Sequence, residues 1–421
     1  MTASPGSFLS RHRLDVVALM AISAVSFLFA NRGAARIHPS AFEAKNFDIY
    51  LQGDLPRTYT QMLTRFHNGA RSALHPLYPV TVHPATQAAR SLFDLSAAGA
   101  VRVTLGLLAV AWAVMLFLVG RAARLGVLDS ALITGVGLAG ASARFWLTVP
   151  ETFLPGGIAL LFALMVAAYG ERRQLGDAWY IASGAASFGS TITNWSTGLL
   201  LALTTGSIGR GVRIALQVVG VVTILWVGER LVYPNIAFIF DSQGVGQHLR
   251  VPDAARAVEV TRAFVLHTAV APRLEACAST PLDPAPFLLS FQAASIASGG
   301  RAGVVATGVW LAMLVLGAYS LLRLPNYRAM RFVLAGSLLS QFLLHVLYGG
   351  ETFLYSIHWW GLLVAMTALA LHTRVRSVAR SLAVVFILAA GTHNLRTWES
   401  ALPVFQNGAA DFPRNQRSCD E

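Results

Sequence analysis

Charged side chains are scarce in this sequence. Asp, Glu, Lys and Arg make up 12% of the 421 residues, and 55% of the residues are hydrophobic. A soluble globular domain carries about 25% charged residues, so this chain cannot cover its surface with polar groups in water. A soluble fold is therefore excluded, and a lipid bilayer is predicted to surround the protein.

Lysine and cysteine are nearly absent as well. Lys45 is the only lysine, so the formal net charge of +12 comes from arginine. The arginines form short clusters between apolar runs, a pattern typical of orientation signals in membrane proteins and not of a nucleic-acid surface. The two cysteines, Cys277 and Cys419, match no metal-binding spacing. Neither a nucleic-acid partner nor a cysteine metal site is predicted.

Long apolar runs are what the sequence has in abundance. A helix needs roughly 20 mostly apolar residues to cross the bilayer, and lipid-embedded backbone must satisfy its polar groups internally. The runs are continuous rather than alternating, which favours helices over a barrel. The predicted spans cover residues 14–31, 99–120, 128–147, 154–170, 178–193, 195–208, 214–233, 303–322, 331–349, 354–372 and 381–397. The sequence thus predicts an all-α polytopic transmembrane protein with about 11 spans.

The arginines of the short connections predict the orientation of the chain. Short basic loops stay in the cytoplasm, whereas long segments translocate largely regardless of their charge. Arginine occurs in each of five short connections, at Arg121, Arg172, Arg210, Arg323 and Arg374. These connections are predicted to be cytoplasmic, and the long segments 32–98 and 234–302 to lie outside. Residues 178–208 fit this pattern as two short helices meeting at Asn194, whereas a single span there would invert everything downstream.

Polar residues that are unusual at membrane depth gather on the predicted outer face. Ionisable residues in such positions are energetically costly and usually serve a function. The candidates are Asp48, Asp54, Arg57, His67, His75, Arg144, Glu151, Asn194, Trp195, Glu351, Tyr355, His358 and His393. Their convergence on one side predicts a site at the outer membrane boundary.

The first long outer segment is predicted to carry an interfacial helix and irregular backbone. Residues 58–66 place apolar side chains at helical spacing, which is typical of a helix lying in the membrane interface. The prolines Pro76, Pro79 and Pro84 are predicted to break the helix that follows. Asp54 has a purely structural interpretation too, as the N-cap of a helix that begins at Pro56.

A short phrase occurs twice, at Glu151 and at Glu351. Each glutamate is followed by Thr-Phe-Leu and opens a predicted span, where the helix dipole favours negative charge. Near Glu351, the side chains of Tyr355 and His358 follow at helical spacing and share its face. The next residues, Trp359 and Trp360, are predicted to form an interfacial aromatic belt or a sugar-stacking surface.

The arrangement resembles the GT-C superfamily of membrane glycosyltransferases. The segments that carry the resemblance are Phe47 to Arg57 with Gly53-Asp54-Leu55-Pro56-Arg57, His75-Pro76-Leu77, Phe145-Trp146 with Pro150-Glu151-Thr152-Phe153, Thr193-Asn194-Trp195, and Glu351-Thr352-Phe353-Leu354-Tyr355. It extends to about residue 372, and implies a GT-C-like domain over residues 1–397 with a short extracytoplasmic tail over 398–421. Several members have a large C-terminal soluble domain, and without one we expect the outer loops or a partner to recognise the acceptor.

The resemblance implies a reaction and roles for the candidate residues. A sugar would pass from a polyprenyl-phosphate donor to a glycan, lipid or protein acceptor of the cell envelope, at the extracytoplasmic face of a bacterial cytoplasmic membrane. Asp54 is expected to be the base, with Asp48 as the runner-up. The expected substrate-binding residues are Arg57, His75, Arg144, Glu151, Asn194, Glu351, Tyr355 and His358. No metal ligand or cofactor is assigned, and a divalent metal near the acidic loop is left open.

Two other classes of protein fit parts of the sequence. A transporter or flippase of a lipid-linked or anionic substrate would use polar residues in broken helices near the bilayer midplane, and residues 178–208 match that feature. An O-antigen-type polymerase works at the same face and would use arginine-rich outer loops such as 234–302. The gathering of polar residues at one interface favours the glycosyltransferase.

Overall fold

The computed structural model describes residues 13–43, 49–67, 69–239, 248–278 and 287–407. Fifteen helices lie in this part of the chain: α1 Arg13–Ala35, α2 Leu55–Leu63, α3 Tyr78–Leu92, α4 Ala97–Ala122, α5 Val127–Ala139, α6 Ala141–Trp146, α7 Phe153–Gly170, α8 Asp177–Ser190, α9 Trp195–Leu203, α10 Ile208–Val232, α11 Ala254–Arg262, α12 Gly300–Arg323, α13 Arg328–Leu347, α14 Ser356–Ala368 and α15 Arg376–Asn407. A helix occupies each of the predicted spans, and the protein is helical as expected. The predicted Asp48 lies outside the described residues.

Eight helical segments are long and apolar enough to cross a membrane. They are Arg13–Ala35, Ala97–Ala122, Phe153–Gly170, Ile208–Val232, Ile296–Arg323, Arg328–Leu347, Thr352–His372 and Arg376–Pro403. The protein is therefore a polytopic membrane protein. Two of these segments form the centre, because the apolar window of Thr352–His372 is 89% buried and that of Phe153–Gly170 is 72% buried, against 17% for α1.

Aromatic side chains hold the central helix α14 in place. Trp359 donates a hydrogen bond to the Phe264 carbonyl (3.1 Å) and Trp360 donates one to the Gly137 carbonyl (2.7 Å). Both indoles are fully buried. The prediction of an interfacial belt or a sugar-stacking surface is therefore wrong for this pair. Their rings are packed in the core and their N–H groups are bound to backbone carbonyls, so neither ring faces the interface or a sugar.

Several predicted spans are interrupted or differently bounded. Residues 128–147 form two helices that break at Gly140, where an added Cβ would come within 2.2 Å of the Trp360 ring. The stretch 178–208 forms the short helices α8 and α9, joined through Thr191 and the single turn Ile192–Asn194. Helix α15 continues through residue 398, the predicted start of the tail, and Trp398 is fully buried.

Two predictions for the outer segments need correction. Pro84 does not break the chain, because α3 runs through it, while Pro79 lies in the first turn of α3, where no N–H bond is lost. The second segment contains a short antiparallel hairpin of β1 Glu275–Ala278 and β2 Phe287–Ser290, paired in register from Glu275 opposite Ser290. An otherwise helical prediction missed these strands because each is only four residues long.

The two ends of the bundle differ in chemistry. At one end, the basic connections form ion pairs, including Asp129 with Arg376 and Arg380, and Asp177 with Arg210 and Arg213. The opposite end carries α2, α3, α11 and the hairpin, together with most of the candidate residues. The structure thus places at one end of the bundle the helix ends that the sequence predicted to share a face.

Candidate functional site

Asp54 lies at the centre of a polar cluster at the end opposite the basic connections. Its side chain is buried, with the residue 3% exposed. Oδ2 accepts a hydrogen bond from Arg57 Nη1 (3.1 Å) and forms an ion pair with Arg71 Nε. Within the described part of the chain, Oδ1 accepts no hydrogen bond. One carboxylate oxygen is therefore held by two guanidinium groups, and the other has an unused lone pair.

Helix capping does not account for this carboxylate. Asp54 occupies the N-cap position of α2, but its side chain makes no capping hydrogen bond. Its backbone carbonyl instead accepts from the amide (2.9 Å) and the hydroxyl (2.6 Å) of Thr58. Pro56, in the first turn, supplies the fixed φ that starts the helix. The side chain of Asp54 thus binds the two arginines and does not cap the helix.

A strained turn presents Asp54 to the cluster. The Gly53 amide donates to the Tyr50 carbonyl (2.8 Å), and the two central residues, Leu51 and Gln52, have φ values of 54° and 60°. Two positive φ values define a type I′ turn, which normally uses Asn or Gly. The left-handed conformation costs other residues roughly 1–2 kcal/mol each. Burial of Leu51, which is 0% exposed, helps to hold the turn.

Glu151 supports the backbone of Asp54 from below. Its Oε2 accepts the Asp54 amide (2.9 Å), and its Oε1 accepts the amide of Thr152 (2.7 Å) and lies 2.9 Å from the Thr152 hydroxyl. Burial and then the nearby charge of Asp54 raise the pKa of Glu151. A carboxyl group that is buried beside a second one holds its proton more tightly, so Glu151 keeps its proton to a higher pH than a free glutamate.

His75 extends the cluster towards the break between α8 and α9. Its Nδ1 lies 2.9 Å from the Ser190 carbonyl, and its Nε2 lies 3.1 Å from the Thr152 hydroxyl. Burial lowers the pKa of His75 to about 4, so the ring is neutral near pH 7. A carbonyl can only accept, so Nδ1 carries the proton and Nε2 accepts from Thr152. With Thr152 donating to His75, a protonated Glu151 completes a chain of donors.

Arg71 belongs to the site and was not predicted. It lies in the single turn Ala70–Ala73, and its carbonyl accepts the His75 amide (2.9 Å). The side chains of Arg71 and Arg57 are 24% and 22% exposed, so the cluster reaches the surface through them. One signal could have found Arg71: it stands four residues before His75, in a segment already rich in candidates.

Tyr355 borders the cluster, whereas Glu351 has a structural role nearby. The Tyr355 ring packs against His345 (4.6 Å) and Phe153 (4.7 Å) and lies within electrostatic range of Arg71 and Asp54. Glu351 accepts hydrogen bonds from Ser290 Oγ (2.6 Å) and from the amides of Phe291 (3.1 Å) and Phe353 (3.2 Å). Burial raises its pKa to about 7. Glu351 thus fastens the hairpin to the start of the central helix.

Asn194 and His358 lie one layer deeper, against the first turn of α7. A Cβ added at Gly156 would come within 2.4 Å of His358 Nε2 and 2.8 Å of Asn194 Nδ2. Asn194 Oδ1 accepts from Gln341 Nε2 (2.8 Å). Both side chains are buried, and neither contacts Asp54.

Arg144 lies elsewhere at the same end of the bundle. Its guanidinium stacks over the ring of Phe29 at 3.8 Å and lies 5.9 Å from the ring centroid of Trp398. The structure thus separates it from Arg57 and Arg71. The predicted phosphate-binding arginines fall into two groups rather than one.

The donor atoms that the structure describes near Asp54 do not fit a metal site. Among the described residues, no group of three His, Cys, Asp or Glu side chains could hold a metal ion. Both oxygens of Glu151 accept N–H or O–H donors, and Oδ2 of Asp54 faces two cations. No reaction step is assigned to a metal.

Comparison with known proteins returns no relative for this chain. No protein-family model matches it, and neither a curated protein nor a solved structure does. The function is therefore inferred from the chemistry of the Asp54 cluster.

Proposed function

We propose that the chain is a glycosyltransferase that moves a sugar from a polyprenyl-phosphate donor to an acceptor hydroxyl at the extracytoplasmic face of a bacterial cytoplasmic membrane. The observation that carries the proposal is the buried Asp54, with one oxygen bound to two arginines and the other accepting no hydrogen bond from the described residues. That arrangement combines a proton acceptor with a site for phosphate oxygens.

The reaction needs both features. The acceptor oxygen attacks the anomeric carbon of the donor sugar, the bond from that carbon to the phosphate oxygen breaks, and the hydroxyl proton passes to a base. Asp54 Oδ1 has the free lone pair that such a base requires. The departing polyprenyl phosphate gains negative charge, and Arg57 and Arg71 supply charge-assisted donors for it.

The surrounding residues keep these groups in place. The strained turn at Leu51 and Gln52 sets the start of α2, and Glu151 binds the Asp54 amide (2.9 Å). Tyr355, at the border of the cluster, offers an aromatic ring to the donor sugar. His75 acts through Thr152 and Glu151 and is a positioning residue, while Asn194 and His358 support the first turn of α7 from the core.

The first experiment measures release of labelled sugar from polyprenyl-phosphate sugars by the full chain in proteoliposomes. We expect Asp54→Asn to lower transfer by about 10²–10⁴-fold, the usual contribution of a general base. Asp48→Asn is tested beside it, since both acids stand in the first outer segment. Asp94→Asn is the matched control, because Asp94 is an exposed aspartate of the same segment, and it should keep wild-type transfer.

Binding of the donor lipid and thermal stability show whether Asp54→Asn still folds. Loss of transfer in a folded variant that binds donor supports the role of Asp54. Wild-type transfer by Asp54→Asn, or consumption of no donor in a panel of sugars, would overturn the proposal.

A transporter or flippase of a lipid-linked substrate is the second candidate. The break between α8 and α9 favours it, because Asn194 lies there, fully buried, with Nδ2 lacking a hydrogen-bond partner among the described residues. Transporters place binding groups at such interruptions. In the same proteoliposomes, movement of intact donor across the bilayer without sugar release would favour this function over transfer.

A further inference from the structure

Arg144 is a desolvated cation without a counter-ion of its own. It lies on α6, between α1 and α15, and stacks on Phe29 at 3.8 Å. Its side chain makes no hydrogen bond or ion pair within the described part of the chain. Burial lowers the pKa of its guanidinium to about 10, so the group stays charged at neutral pH. Stacking on an aromatic ring recovers only part of the cost of removing such a charge from water.

The opposite charge that acts on Arg144 within the described part of the chain, Glu399, is already engaged. Glu399 forms an ion pair with Arg36 (2.5 Å), and the Arg36 guanidinium lies 5.4 Å from the Trp398 ring centroid. Arg144 approaches the same ring at 5.9 Å. Two guanidinium groups thus flank one buried indole, and Glu399 beside them already pairs with Arg36.

The surface around this pair is that of a membrane boundary. Helices α1 and α15 both pack against α5, and apolar side chains of α1 below Phe29 are exposed, with Val25 at 56% and Leu28 at 47%. Leu388 of α15 is 67% exposed. An acyl chain can lie along such side chains while its headgroup reaches the arginines.

We propose that Arg144, with Arg36 beside it, binds a phosphate group at the membrane boundary, in a site separate from Asp54. Guanidinium groups match phosphate oxygens in geometry and charge. The apolar surface below the arginines favours a lipid headgroup as the source of the phosphate, and free phosphate would use the same contacts without the acyl chains.

The test uses the purified, delipidated full chain in detergent. Binding of phosphatidylglycerol is measured by native mass spectrometry and by the shift in thermal midpoint, and inorganic phosphate is titrated separately. We expect Arg144→Gln to weaken phosphatidylglycerol binding by about tenfold or more, as for loss of a charged hydrogen bond. Arg396→Gln is the matched control, since Arg396 is an exposed arginine on α15, the helix that carries Trp398 and Glu399, and it should bind like wild type.

Glu399→Gln gives a test of opposite sign. Removing this carboxylate leaves Arg36 and Arg144 with more positive charge, so phosphatidylglycerol should bind more tightly than to wild type. If inorganic phosphate binds as tightly as the lipid, phosphate alone is recognised and the acyl chains add nothing. Equal binding by wild type and Arg144→Gln, or an equal loss in Arg396→Gln, would overturn the site.

If Arg144→Gln misfolds, the proposal is still tested by Glu399→Gln, whose binding of phosphatidylglycerol is measured in a separate variant. Arg144→Lys provides a further variant that keeps the charge but loses the planar fork, and intermediate binding is expected. Sugar transfer is not the measurement in any of these arms. The outcome is therefore independent of whether Asp54 is a catalytic base.

Discussion

At the scale of single residues, the raised pKa of Glu151 predicts how stability depends on pH. An unfolded Glu titrates near pH 4.3, so the folded state binds the Glu151 proton more tightly and loses that stabilisation as the pH rises through the folded value. The pKa of His75 is lowered instead, and this opposes the trend below about pH 6.5. Above about pH 6.5 the unfolded histidine is neutral too, so His75 no longer contributes to the pH dependence of stability and the effect of Glu151 can be measured without it.

We expect the thermal midpoint of the wild type to fall as the pH rises through this window. Glu151→Gln keeps the neutral form and should make the fall shallower, with the rest due to other buried glutamates, including Glu351, whose pKa is raised to about 7. Thermal denaturation in detergent across the pH range measures both. Glu275→Gln, at an exposed glutamate of β1, should retain the wild-type slope, and the same slope in Glu151→Gln would refute the assignment.

At the scale of structural elements, the type I′ turn before α2 stores strain next to Asp54. Gln52→Gly should raise the free energy of unfolding by about 1 kcal/mol, because glycine adopts positive φ without a Cβ penalty. Sugar transfer should decrease in this variant, since the relaxed turn positions Asp54 less tightly. Denaturant unfolding and the transfer assay measure the two effects.

A matched control for this prediction exists at the other end of the bundle. Arg124 follows α4 with φ 62° and is exposed, so Arg124→Gly should gain similar stability. Its transfer rate should stay at the wild-type level, because it is remote from Asp54. A decrease in both variants would show that added flexibility anywhere slows transfer and that the turn has no special role.

At the scale of the whole molecule, the orientation of the bundle is open to a labelling test. In a chain with Cys277→Ser and Cys419→Ser, single cysteines are introduced by Ser91→Cys on α3 and by Gln174→Cys in a basic connection, both at exposed positions. We expect a membrane-impermeant maleimide to label Ser91→Cys in intact cells and Gln174→Cys only after lysis. The reverse pattern would put the Asp54 cluster in the cytoplasm and contradict a lipid-linked donor at the outer face.

Much of the fold could be predicted because membrane helices depend on local composition. Helices α4, α7 and α12 begin and end within three residues of the predicted spans, since a long apolar run has no stable alternative in lipid. The break at Gly140 could not be predicted, because the close contact there comes from Trp360, more than two hundred residues away along the chain.

The candidate site was predicted in part. The structure brings together four of the predicted residues, Asp54, Arg57, His75 and Glu151. They could be predicted because the orientation of the spans puts their helix ends on one face. Arg71 was missed, since arginines are common in the sequence and only its ion pair with Asp54 identifies it as part of the site.

The sequence by itself determined that the chain is a helical membrane protein and which helix ends share a face. Hydropathy decides which segments enter the bilayer, and the arginines of the short connections decide their orientation, and both are local properties of the sequence. Only the tertiary structure decided that Asp54 binds Arg57 and Arg71 instead of capping α2, and that Arg144 stacks on Phe29 away from them. Ion pairs and stacking require side chains from distant parts of the chain to lie within a few ångströms. Packing of the helices sets those distances, and no local pattern encodes them.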